Sequence, residues 1–150
     1  MTIEEAIKQK KRFDNEFVRV QVNLVYTASR LNHAMLVDLK KHGITTQQYN
    51  ILRILKGRYP SPMTVKDLAA RMIDKTSNAS RLVDRLVSKN YVIRDLCEKD
   101  RRRVDVVITE EGIKFIDQIT PDLNEAIDKR FKNLTIEEAV KLNDLLDKLK

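Results

Sequence analysis

The fold is decided by residues 64–109, which read TVKDLAARMIDKTSNASRLVDRLVSKNYVIRDLCEKDRRRVDVVIT. Thr64 with Asp67 three residues later has the pattern of a helix start, and a short apolar face follows it. A second helical face, made of Ala79, Leu82, Val83, Leu86 and Val87, ends at Asn90. Two helices in such close succession predict a helix-turn-helix over about residues 64–90.

The apolar period changes towards the end of this stretch. Val104, Val106 and Ile108 occupy every second position, and Tyr91 to Asp95 supply a facing strand. The residues between these strands form a hairpin loop. We therefore predict a wing over about residues 91–109 and a winged helix-turn-helix over 45–109.

A long apolar stripe precedes this module. From Phe13 to Leu39 an apolar residue recurs every three or four positions, which predicts one helix, about 40 Å long, that ends at Gly43. A chain of this size cannot cover such a stripe with its own core, so we expect another chain to bury it.

Further apolar helices follow the wing. Thr109 caps the first, in which Pro121 introduces a bend, and Thr135 with Glu138 opens the last. Residues 1–42 and 110–150 are thus predicted dimerisation helices. The expected interface residues are Phe13, Phe17, Ile127, Phe131, Leu142, Leu145, Leu146 and Leu149.

The predicted fold class is mainly α with a small β-hairpin, as a winged helix-turn-helix with N- and C-terminal dimerisation helices in a single domain of residues 1–150. No apolar run is long enough to span a bilayer, and the first residues do not resemble a signal peptide. The single cysteine, Cys97, does not require an oxidising compartment. We therefore expect a soluble cytoplasmic protein.

Charge is unevenly distributed along the chain, whose formal net charge is +7. Residues 1–103 hold 22 Lys and Arg against 11 Asp and Glu, whereas residues 104–150 hold 7 against 11. A positive field concentrated before and within the predicted helix-turn-helix favours a nucleic-acid partner.

The second helix of the helix-turn-helix has a polar and cationic face on which Ser77, Arg81 and Arg85 recur at one-turn spacing. In the major groove Asn pairs with adenine and Arg with guanine. The candidate DNA-binding residues here are Lys75, Thr76, Ser77, Asn78, Ser80, Arg81 and Arg85. The alternative is an ordinary solvated helix face.

Asp100, Arg101, Arg102 and Arg103 lie at the predicted tip of the hairpin. Phosphate would relieve the repulsion between the arginines, and an arginine at such a tip can enter the minor groove. Asp100 can hold one guanidinium in position. All four are candidate DNA-binding residues. The alternative is a soluble turn whose charges only prevent edge pairing.

This hairpin resembles the wing of the MarR family of regulators, whose motif reads Asp, any, Arg, three any, Val, any, Leu, Thr. Asp100, Arg102, Val106 and Thr109 match that motif, and Ile108 stands in place of leucine. The Thr-Glu-Glu-Gly continuation is also present, and the resemblance extends over roughly residues 13–149.

The resemblance implies a transcriptional regulator that acts as a triangular homodimer, with its recognition helices in successive major grooves. Our hypothesis is that it is a repressor that binds a pseudo-palindromic operator in double-stranded DNA. The resemblance also implies that Arg102 reaches the minor groove and that Asp100 orients Arg102. Arg101 and Arg103 do not match positions of the motif, and we expect them to contact phosphates.

Many members of the family release DNA when a small, often phenolic, effector binds. Tyr26, Arg30 and His33 on the long helix are weak candidates for lining such a site, but packing or solvation is the better explanation for each of them.

Other classes receive little support. A redox role for Cys97 rests only on its neighbouring arginines, and His33 and His42 have no further ligands at a metal-site spacing. The three glycines build neither a phosphate loop nor a nucleophile elbow, so we expect no enzyme, cofactor or metal. The remaining alternative is a winged-helix module that binds another protein, with a weak dependence on salt.

Overall fold

The computed structural model describes residues 1–150, and the predicted fold class is confirmed. The elements are α1 (Ile3–Ala6), α2 (Glu16–Lys40), α3 (Thr46–Lys56), β1 (Met63–Thr64), α4 (Val65–Arg71), α5 (Ala79–Ser88), β2 (Val92–Leu96), β3 (Val104–Ile108), α6 (Glu110–Phe131) and α7 (Ile136–Asp147). The chain divides into two compact units, Met1–Thr46 and Gln47–Lys150. None of the helices combines the length and apolar character that a membrane crossing requires.

In the first unit, α2 is the predicted long helix, but it begins three residues later than the apolar stripe. Asn15 caps α2, because its Oδ1 accepts hydrogen bonds from the backbone N–H groups of Phe17 at 2.7 Å and Val18 at 3.4 Å. Phe13 therefore lies outside the helix, and its predicted place on the helical face is wrong. The end of α2 is as predicted, since Gly43 adopts a φ of 70°.

The short helix α1 was not predicted from the sequence. Thr2 and Glu5 form a reciprocal capping box at its start, and Ile3 is buried. Glu4 accepts a hydrogen bond from Arg19 Nε on α2 at 2.8 Å. The N-terminal residues are thus folded against the start of the long helix.

In the second unit, α4 and α5 form the predicted helix-turn-helix. Thr64 caps α4 by accepting a hydrogen bond at 3.0 Å from the backbone N–H of Asp67. The residues of α5 that are buried are Ala79, Val83 and Leu86, whereas Leu82 is half-buried and Val87 is exposed. The predicted buried face was therefore too wide. Asn90, with a φ of 61°, follows the end of this helix as expected.

The sheet has three antiparallel strands in the order β1-β3-β2, one more than the predicted hairpin. Val92 pairs with Ile108, and Met63 of β1 pairs with Val106. All four of these side chains are buried. On the opposite face of the hairpin, Asp95 pairs directly with Asp105. The short strand β1 thus ties the start of α4 to the wing.

Thr109 and Gly112 join the wing to α6. The Thr109 hydroxyl donates to the Asn90 carbonyl at 2.7 Å and accepts from the Gly112 N–H at 3.0 Å, while the Thr109 N–H donates to the Tyr91 carbonyl at 3.0 Å. A Cβ atom on Gly112 would lie 2.4 Å from the Tyr91 oxygen. Only glycine allows α6 to approach the sheet this closely.

The apolar faces of the last two helices differ in burial. In α6, Ile116, Ile119 and Leu123 are buried, and the helix continues through Pro121, whose predicted bend stays a prediction. The predicted capping box of Thr135 and Glu138 at the start of α7 is confirmed. The predicted interface residues of these helices that remain exposed are Phe131, Leu142, Leu145 and Leu149, and Ile127 and Leu146 are half-buried.

Candidate nucleic-acid interface

A groove of about 360 Å³, here called the recognition groove, runs along the first turns of α5. It is lined by Gln47, Asp74, Thr76, Ser77, Asn78, Arg81, Leu82 and Arg85. Five of these residues were predicted to bind DNA, so the structure places most of the predicted recognition surface around one concavity.

Asp74 organises the turn that leads into α5. Its Oδ1 accepts hydrogen bonds from the Thr76 hydroxyl at 2.7 Å and the Thr76 N–H at 3.0 Å. The Thr76 hydrogen bonds hold the pKa of Asp74 below its usual range, and the side chains of Ser77 and Gln47 lower it further. Asp74 is therefore an ionised carboxylate inside the groove.

Two of the predicted DNA-binding residues, Asn78 and Lys75, form hydrogen bonds within the protein near the start of α5. Asn78 is the N-cap of α5, and its Oδ1 accepts a hydrogen bond from the Arg81 N–H at 3.0 Å. Ser77 precedes the cap, so its predicted position on the helical face is wrong. Lys75 lies before both, and its ammonium group donates to the Ala70 carbonyl at the end of α4.

Arg81 and Arg85 remain the long cationic side chains of the groove. Both residues are exposed on α5, and neither guanidinium forms a salt bridge in the structure. Ser80, between the cap and Arg81, is half-buried. Two free guanidinium groups thus project from one side of the recognition helix, at the predicted one-turn spacing.

The wing loop is closed by backbone hydrogen bonds between Cys97 and Arg103 and between Arg103 and Asp100, both at 2.9 Å. Asp100 Oδ1 accepts a hydrogen bond from the backbone N–H of Arg102 at 3.0 Å. The structure therefore shows Asp100 holding the main chain of Arg102, whereas the resemblance implied a role in orienting the side chain.

The three wing arginines are not equivalent. Arg103 donates from Nε to Asp105 Oδ1 at 2.9 Å, and this hydrogen bond is the main reason that the pKa of Arg103 is raised. Arg101 and Arg102 are exposed and form no salt bridge. Two of the three guanidinium groups are thus free for a partner.

A second groove of about 320 Å³, here called the wing groove, separates the start of α4 from the hairpin. It is lined by Thr64, Val65, Lys66, Arg94, Arg102, Arg103 and Val104. Lys66 and Arg94 were not among the predicted DNA-binding residues. Arg94 forms a salt bridge with Asp84 of α5. This contact forms only when β2 packs against α5, so no local sequence pattern predicts it.

The weak effector candidates lie on α2 in the first unit. Arg30 donates to the Tyr26 hydroxyl at 3.2 Å and stacks 5.7 Å from the centre of its ring, while His33 is exposed. Phe17, a predicted interface residue on the same helix, is 86% exposed, and Phe13 is half-buried before the helix. Nothing within the first unit brings Tyr26, Arg30 and His33 into one pocket.

Comparison with known proteins supports this architecture. Residues 42–103 match the model of the MarR family. The transcriptional repressor MdtR of Bacillus subtilis is 32% identical over 129 residues, which cover 85% of this chain and 81% of that repressor.

Among the solved structures that share the fold, one contains operator DNA and one contains a small molecule. A mutant MarR from Escherichia coli in complex with operator DNA aligns with a TM-score of 0.78 and 24% identity over 93% of this chain and 99% of that one. An organohalide-sensing regulator with bound 2,4-dichlorophenol aligns with a TM-score of 0.80 and 21% identity over 94% of this chain and 85% of that one. The 32% identity to a repressor over most of both chains, together with the family match over residues 42–103, shows that the chain belongs to the MarR family of transcriptional regulators.

Proposed function

We propose that this chain is a sequence-specific repressor that binds a pseudo-palindromic operator in double-stranded DNA as a homodimer. The observation that carries the proposal is the set of free guanidinium groups on one compact unit. Arg81 and Arg85 project from α5, and Arg101 and Arg102 project from the wing. Such groups bind phosphates and base edges, and no carboxylate of the chain neutralises them.

In this proposal, α5 and the wing bind different grooves of DNA. The start of α5 enters the major groove, where short side chains such as Ser77 allow close approach. Arg102 at the wing tip enters the minor groove, and Arg101 contacts a phosphate. Arg103 contributes less than its neighbours, because Asp105 already satisfies part of its guanidinium group.

Exposed apolar side chains support the homodimer. Phe17 on α2 is 86% exposed, and Leu145 and Leu149 on α7 are 50% and 65% exposed. Large apolar side chains grouped on helices in this way are typical of surfaces that another chain covers. A two-fold dimer carries two recognition helices, which matches half-sites about one helical turn apart.

A small-molecule effector that releases DNA is part of the proposal, and the relative with bound 2,4-dichlorophenol supports it. Titrating phenols into the protein–DNA complex, with thermal unfolding of the free protein as a second readout, tests this part. A repressor binds chromosomal DNA, so the predicted cytoplasmic location is part of this proposal.

Fluorescence anisotropy with random-sequence duplex DNA, measured at several salt concentrations, tests the DNA-binding role. Wild-type affinity should fall steeply as salt rises, because each neutralised phosphate releases counterions. Arg102→Ala should weaken binding by about 1 to 3 kcal/mol and make the salt slope shallower by about 1. The control is Arg12→Ala, which removes an exposed arginine from the first unit.

Salt-insensitive binding, or no binding, would contradict the proposal and favour the protein-binding winged-helix module. An Arg102→Ala variant that is folded but binds like the Arg12→Ala control would remove Arg102 from the interface.

A further inference from the structure

The recognition groove contains several polar side chains, but most of them already have partners. Thr76 donates its hydroxyl to Asp74, and Asn78 Oδ1 accepts the Arg81 N–H at the start of α5. A bidentate contact from Asn78 to adenine would compete with this cap, since it uses the same oxygen. The groups free to reach beyond the groove are the guanidinium groups of Arg81 and Arg85.

The charge of Asp74 indicates what these guanidinium groups contact. A DNA phosphate inside the recognition groove would lie near the ionised carboxylate, which repels it. Base edges carry hydrogen-bonding groups but no net charge. The groove therefore suits base edges better than the phosphate backbone.

Arginine selects one base among the four. Its fork of N–H donors matches guanine, which presents the two acceptors O6 and N7 in the major groove, whereas adenine and cytosine each present an amino donor. Arg81 and Arg85 are one turn apart, about 6 Å along the helix axis. This separation corresponds to about two base steps of 3.4 Å each.

We infer that Arg81 and Arg85 determine sequence specificity, and that each half-site of the operator contains two guanines about two base steps apart. This inference rests on the proposed function, because it assumes that α5 lies in the major groove. Thr76 and Asn78 hold the turn and the helix start in place and read no base.

Selection of binding sites from a library of randomised duplexes tests this inference with the full-length chain. The variants are Arg81→Ala and Arg85→Ala, which remove the guanidinium donors. Lysine is unsuitable, because its ammonium group can also donate to guanine O6 and N7. Arg12→Ala is the matched control, because it removes an exposed arginine of the first unit. Asn78→Ser, which keeps a helix cap, tests whether Asn78 reads adenine. Guanines in the selected site are then replaced one at a time by 7-deazaguanine, which lacks the N7 acceptor.

The wild type should enrich a site with two guanines per half-site. Each alanine variant should lose the preference at one of these positions by roughly 5- to 100-fold, and each 7-deazaguanine should weaken wild-type binding. Arg12→Ala and Asn78→Ser should both select the wild-type site.

An enriched site without these guanines, or alanine variants that select the wild-type site, would overturn the inference and leave the proposed function standing. An adenine preference that Asn78→Ser abolishes would also overturn it. If the wild type enriches no sequence at all, the proposed function itself fails, and the inference fails with it.

Discussion

The Asp100 carboxylate accepts a hydrogen bond at 3.0 Å from the backbone N–H of Arg102, so these two residues of the wing motif are joined through the main chain. Asparagine would keep this acceptor, whereas alanine would remove it. The contact therefore separates two roles for Asp100, namely holding the loop and attracting a guanidinium group.

We predict that Asp100→Ala weakens DNA binding by about 0.5 to 1.5 kcal/mol, the usual contribution of one hydrogen bond. Asp100→Asn should bind at least as tightly as the wild type, because it keeps the acceptor and removes a negative charge near DNA. Anisotropy titrations at one salt concentration measure both variants. Equal losses in the two variants would mean that the charge of Asp100, and not its hydrogen bond, matters.

Gly112→Ala should lower the free energy of unfolding by about 1 to 3 kcal/mol, because the new methyl group overlaps the backbone oxygen of Tyr91. Urea denaturation measures the loss. Gly57→Ala is the control, since a Cβ atom at that position lies 3.5 Å from the Ile54 oxygen, in ordinary contact. If both variants unfold at the same urea concentration, the close approach of Gly112 to Tyr91 does not exclude a side chain at this position.

Asp95→Asn should raise the free energy of unfolding by about 0.2 to 1 kcal/mol, because it removes one of two carboxylates that face each other across the hairpin. The control is Glu98→Gln in the wing loop. It also removes one negative charge, but Glu98 has no carboxylate opposite it on a neighbouring strand. Equal stabilisation by the two variants would assign the effect to net charge alone.

Leu145→Asp should convert the homodimer into monomers, because an unpaired carboxylate in an apolar interface is costly to desolvate. Light scattering coupled to gel filtration measures the mass, and circular dichroism checks that the helices remain. Asn143→Asp adds the same charge at an exposed position of α7 that is two residues from Leu145 and faces away from it, and this variant should stay dimeric. A monodisperse Leu145→Asp dimer would show that this face is not the interface.

Helix starts were largely predictable from local chemistry. Thr64, Thr109 and Thr135 each cap the helix that the sequence assigned to them. The start of α2 was missed because the apolar rhythm includes Phe13, whereas the cap at Asn15 decides where the helix begins. The Thr2 and Glu5 pattern of α1 was present in the sequence and was overlooked.

Contacts between distant residues were not predictable. The two-residue strand β1 is too short to show a period, and its pairing with β3 depends on the packed sheet. The composition of the wing tip identified Arg101 to Arg103 as a group, but only the strand register shows that Asp105 engages Arg103 and leaves its neighbours free. Likewise, the hydrogen bond between Asp74 and Gln47 of α3 forms only in the folded unit, so the sequence did not predict it.

The junction of Thr109, Gly112 and Tyr91 has a mechanical consequence. Hydrogen bonds of Thr109 and the close approach of Gly112 to Tyr91 connect the wing directly to α6, a helix of 22 residues that is about 33 Å long. Close-packed joints of this kind transmit displacement without absorbing it. We therefore expect a tilt of α6 at its Phe131 end to displace the wing arginines at the other end as well.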